Sequence, residues 1–127
     1  MREQPSAADL LDAVGEFLTR ELLPTLSGRQ AFHARVAANV LAIVRREMRL
    51  GPAADREEAA RLAALLGEAG DADSLNALLC ERIAAGEVAV DDPALIQHLW
   101  ATTLDVLAVD QPGYATFRRA AASEGEP

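Results

Sequence analysis

Apolar side chains recur at helical spacing along most of the chain, and polar caps, glycines and prolines divide that pattern into segments. Leu10, Leu11, Val14, Phe17 and Leu18 follow Ser6 and Asp9, which stand at the offset of a capping pair. They predict a first helix over residues 7–22, closed by Pro24. Ser27 and Gln30 repeat the offset and open a long helix that runs to about Leu50, where Gly51-Pro52 predicts a stop. Asp55 and Glu58 predict a third start, for a short helix rich in Ala and Leu that ends at Gly70. Asp73 or Ser74 caps a fourth, with Leu75, Leu78, Leu79 and Ile83 on one face and Gly86 beyond its end. Asp92-Pro93, a cap followed by proline at the first helical position, starts a fifth that reaches about Val109. Gln111-Pro112-Gly113 then breaks the chain before a brief turn at Tyr114 to Arg119, and residues 121–127 read as a disordered tail. Glu87 to Val90 alternate like a strand but have no partner strand, so they read as extended linker. The expected fold is all-α: one domain over residues 1–120, an antiparallel bundle of about five helices.

The second helix carries the most informative conflict between polar and apolar positions. At 100° per residue, Phe32, Val36, Val40, Ile43 and Val44 fall in one arc, the predicted core stripe. Glu47 projects into the middle of that arc, His33 lies between Val40 and Val44, and Asn39 sits at the edge. Arg46 and Arg35 follow Asn39 round the same flank. A carboxylate among apolar side chains is costly unless paired or protonated, which makes His33, Arg35, Asn39, Arg46 and Glu47 the candidate site residues. They form a buried polar network that fixes how helices dock or a ligand-binding group, unless Glu47 simply reaches solvent near the helix end. In the second case Glu47 acts as acid or base, oriented by His33 or Asn39.

Elsewhere the chemistry is sparse. His98 shares one side of the fifth helix with Asp105 and reads as a surface histidine. Trp100, beside Ile96, Leu104 and Leu107, reads as the main core aromatic of that helix, and Cys80 as a small buried hydrophobe. No HxxxH, ExxH or CxxC spacing occurs, and no Ser-His-Asp arrangement can be assembled, so no metal ligand, cofactor or catalytic residue is assigned. There is no lysine, which excludes Schiff-base chemistry and a Walker-type phosphate loop.

Composition narrows the setting. Half of the residues are hydrophobic, chiefly Ala, Leu and Val with only five aromatics, so a core must come from close helix contacts through small side chains. The net charge of -8 is split unevenly, +1 over residues 1–50 and -9 over residues 51–127. Such an acidic chain is ill suited to nucleic acid or to anionic membranes. No run approaches the roughly 18 apolar residues of a membrane span. A single cysteine fits a reducing compartment, and a cytoplasmic location is expected. Two charged stretches are candidate partner surfaces: Arg45, Arg46 and Arg49 at the end of the long helix, and the acidic region from Glu57 to Asp92.

The run from Gly28 to Leu41, continuing to Arg46-Glu47, resembles the signature of a bacterial all-helical family of unknown function. The resemblance takes in Leu10–Leu18, Arg82–Gly86 and the closing Leu107–Tyr114, and spans residues 5 to 118. Members of that family are typically encoded beside kinases similar to aminoglycoside phosphotransferases and beside acyl-CoA dehydrogenases. The resemblance implies an accessory role in acyl-CoA or related carboxylic-acid metabolism and supplies no catalytic residues.

Three functions are therefore expected in competition. The first is a non-enzymatic accessory or regulatory partner of a kinase-like or acyl-CoA-metabolising enzyme, which requires an apolar patch larger than the few hundred Å² usual on a monomer. The second is a small-molecule-binding domain or minor enzyme with a pocket around Glu47, His33 and Asn39. The third is a homo-oligomer without a ligand.

Overall fold

The computed structural model describes residues 4–124, which are all-α: five α-helices and no strand occur among the described residues. The chain divides into two compact units, Met1–Gly51 and Pro52–Pro127.

In the first unit, α1 (Ala7–Glu16) begins at the expected capping box. Ser6 Oγ accepts from the Asp9 amide at 3.1 Å, and Asp9 Oδ2 accepts from the Ser6 amide at 3.1 Å. These two bonds hold the Asp9 carboxyl below its ordinary pKa. Beyond Glu16 the chain widens into a π-helical turn, Phe17–Leu22, and tightens into a 3₁₀ turn, Leu23–Thr25, that contains Pro24. Gly28, at φ 59°, then opens α2 (Gly28–Leu66).

The expected stop at Gly51-Pro52 does not occur, because α2 continues through it for 39 residues in all. Pro52 has no amide to give the Met48 carbonyl, so one helical hydrogen bond is missing there. The clash that normally ends a helix before proline falls largely on the preceding Cβ, and Gly51 has none. The boundary between the two units nevertheless falls at this step. Asp55 and Glu58 consequently lie within α2 and start no helix; Glu58 Oε1 instead accepts from Asn76 Nδ2 at 2.8 Å. The helix ends at Gly67, in the left-handed region at φ 69°, three residues before the expected glycine.

The second unit holds the core. Leu62 and Leu66 of α2, Leu75 and Leu79 of α3 (Ala72–Ala84) and Leu95 of α4 (Pro93–Asp110) form one buried cluster. Ala63, Leu65, Leu78, Ile83 and Val88 pack around it. Asp71, rather than Asp73 or Ser74, caps α3 by accepting from the Ser74 amide at 2.8 Å, and that bond lowers its own carboxyl pKa. Arg82 of α3 donates to the Leu66 carbonyl at 2.6 Å, satisfying an acceptor that the end of α2 leaves open. It also lies within ion-pair distance of Glu68 and Glu87. Asp92 caps α4 as expected, accepting from the Ala94 amide at 2.9 Å. Residues 87–90 form an irregular linker without strand, bent at 87 and 88, where both amides donate to the Arg82 carbonyl. A fifth helix, α5 (Ala115–Glu124), occupies the region expected to be a brief turn and runs into residues 121–124 of the expected tail; residues 125–127 lie outside the described residues.

Candidate functional site

In the first unit α1 and α2 meet through small side chains. Gly15 of α1 and Thr19 of the π-helical turn face Ala38, Leu41 and Ala42 of α2 across an open cleft of about 350 Å³. Asp12 and Glu16 line it from α1, and Arg45, Arg46 and Arg49 from α2. Arg45 Nε lies 2.5 Å from Asp12 Oδ1 in an ion pair whose alignment falls outside hydrogen-bond geometry.

The predicted core stripe of α2 does not face this contact. Residues 38, 41, 42 and 45 point toward α1, and at 100° per residue Phe32, Val36, Val40 and Val44 lie roughly opposite. These four side chains are exposed, from 42% at Val44 to 60% at Phe32, and Met48 continues the row. Leu10 and Val14 on α1 and Phe17 at its C-cap are likewise exposed. Among the described residues of this unit, only Ala31 and Gly51 are buried. Periodicity located the stripe correctly, but the side of α2 that faces α1 carries Ala38, Leu41, Ala42 and Arg45 instead.

The five sequence-derived site residues are spread along this helix. His33 is exposed, with Nε2 accepting from Arg29 Nε at 3.3 Å and its ring edge-on to Phe32 at 5.6 Å. Arg35 and Asn39 are exposed, and Arg46 is half-buried on the cleft. Glu47 is exposed, and its Oε1 lies 2.9 Å from where a Cβ on Gly51 would stand. His33 and Glu47 are separated by about 21 Å of helix at 1.5 Å per residue, so within one chain they do not meet at one cavity. Of the five, Arg46 alone lines the cleft.

A polar cluster that sequence reasoning missed lies in the second unit. His98 is buried at 4% exposure rather than on the surface, and its Nδ1 accepts from Arg61 Nε at 3.3 Å. Arg61 also donates to Thr102 Oγ1 at 3.2 Å and pairs with Asp105 at 3.8 Å. Burial, then the Arg61 charge, lower the His98 pKa, with a small opposing effect from Glu58. The accessible signal was the spacing of His98, Thr102 and Asp105 along one face of α4. Trp100, expected in the core, is 49% exposed beside Ile96 and Leu99, while Leu95 and Leu104 are buried. Cys80 is exposed rather than buried. Among the described residues, no three His, Cys, Asp or Glu side chains gather where they could hold a metal ion, and no helix is long and apolar enough to cross a membrane.

The fold and its outward apolar rows define an all-helical protein whose most developed surface feature is an uncovered helix face. The chain belongs to the family described as domain of unknown function DUF6285, which matches residues 24–114. No curated protein and no solved structure matches the sequence.

Proposed function

We propose that this chain is a non-enzymatic docking subunit, acting by binding other proteins in the cytoplasm. The observation that carries this reading is the first unit, where large apolar side chains on both helices lie in water and almost nothing is buried. An apolar surface of that extent is stable in solution when another protein covers it. The partner class is the one implied by the family resemblance: a kinase similar to aminoglycoside phosphotransferases, or an acyl-CoA dehydrogenase. Co-expression with each enzyme followed by size-exclusion chromatography tests it. Stoichiometric co-elution supports the reading, and separate elution from both enzymes overturns it.

A second reading is favoured by the arginines of the α1–α2 cleft. Arg45, Arg46 and Arg49 line an open cavity with Asp12 and Glu16, a setting suited to a small anionic ligand. This moves the expected pocket away from His33, Asn39 and Glu47. A thermal-shift screen of carboxylates and phosphates tests it, and Arg46→Ala should abolish any shift found.

A further inference from the structure

We infer that the exposed face of α2 pairs with the same face of a second copy of this chain, the two helices running antiparallel. The inference rests on the docking reading above and names the occupant of one of its surfaces. Phe32, Val36, Val40, Val44 and Met48 repeat every fourth position, with Val40 at the centre of the row. Residues at this spacing form a continuous ridge on a helix surface, which packs into the groove of a facing helix. A two-fold axis near Val40 packs Val36, Val40 and Val44 of one ridge against the same three residues of the other, with Phe32 and Met48 at the flanks of the crossing. Such an isologous contact is the commonest way for identical chains to associate.

Charge selects the direction. Arg29 and His33 stand on this face at its N-terminal end, and Glu47 at its C-terminal end, all three exposed. Antiparallel pairing brings Arg29 and His33 toward the Glu47 of the other copy. Parallel pairing would place Arg29 beside Arg29 and Glu47 beside Glu47. The first unit as a whole carries a net charge of only +1, so two copies meet there without the repulsion that the second unit, at -9, would impose.

The area fits as well. The five apolar side chains, each 42–60% exposed, leave an apolar surface in water. Its extent is on the order of 500 Å², against roughly 800 Å² per partner in a standard interface, of which about 65% is apolar in homodimers. The α1 row, Leu10, Val14 and Phe17, lies outside this contact and remains for an enzyme partner.

Sedimentation equilibrium of the purified full chain should give twice the 13.5 kDa chain mass at micromolar concentrations. Val40→Glu, at an exposed position that the isolated chain tolerates, should raise the dimer dissociation constant by more than roughly a hundredfold. Glu47→Arg should weaken the dimer, and adding Arg29→Glu to it should restore the dimer. A chain monomeric at every concentration overturns the proposal, as does a dimer indifferent to Val40→Glu. Failure of the double charge swap to restore it overturns the antiparallel pairing. A monomer that still co-elutes with an enzyme overturns the second copy as occupant and leaves the docking reading standing.

Discussion

At His98 a neutral imidazole is held by a donor that leaves no place for a second proton on Nδ1. The Arg61 contact requires the ring proton on Nε2, and protonation would set two N–H groups against each other beside a guanidinium. Unfolded, this histidine titrates near 6.5; folded, it titrates lower, because of burial first and Arg61 second. Above 6.5 both states are neutral and its contribution to stability is complete. As pH falls through 6.5 toward the lowered value, the unfolded state binds the proton first and stability is lost. The melting temperature should therefore drop on mild acidification, and His98→Gln should flatten that part of the profile in thermal melts. Arg61→Ala should cost about 1–3 kcal/mol by leaving the His98 and Thr102 acceptors unpaired, read from the denaturant midpoint. The sequence showed His98 and Asp105 on one side of α4 but gave that side to solvent. α4 carries large apolar residues all round: Leu95 lies on the side of His98, Ile96 and Trp100 lie elsewhere, and Leu104, half a turn round from Leu95, is buried outside the leucine cluster. Arg61, distant in sequence on α2, decides which side turns inward. Cys80 was misplaced for a related reason: α3 is rich in apolar residues, and only packing shows which of them Leu62 and Leu95 meet.

Helix starts were the most legible elements wherever a side-chain oxygen and a backbone amide three residues on decide them locally. Ser6 with Asp9 and Asp92 before Pro93 are placed as the sequence implies. The Asp71 cap was missed by two positions, since several acids compete in that stretch. Asp71→Ala should cost about 1 kcal/mol and unwind the first turn of α3, visible as lost amide protection there. Gly51-Pro52 was misjudged because its usual meaning depends on a Cβ that glycine lacks. The continuous helix still misses one hydrogen bond at Met48. Pro52→Ala should restore it and stabilise the chain by about 2 kcal/mol, after allowing for the looser unfolded state. An unchanged denaturation midpoint would mean that α2 does not run unbroken in solution. The outward stripe of α2 belongs to this scale too. Its residues were legible as a stripe, but periodicity says only that a face is apolar and not whose surface covers it.

For the whole molecule, the uneven distribution of buried leucine matters more than total apolar content. The second unit contains the Leu62–Leu95 cluster, whereas the first, among the described residues, leaves its leucines at most half-buried and holds the Phe32–Met48 row outward. Leu62→Ala should cost about 3 kcal/mol, because a fully buried side chain leaves a cavity. Val36→Ala, in the first unit, should change the melting temperature of dilute chain very little and that of concentrated chain clearly. The candidate site residues were legible as a cluster on a helical projection, which compresses the helix axis. Unrolled, His33 and Glu47 stand at opposite ends of one face, and two chains are needed to bring them together.

The exposed Cys80 gives this arrangement its own reporter. It is the only thiol in the chain and sits on α3, outside the Phe32–Met48 row. A nitroxide attached there places one spin on each molecule and leaves every residue of the Phe32–Met48 row unaltered. Pulsed dipolar spectroscopy would then show dipolar modulation from paired chains and only background decay from isolated ones.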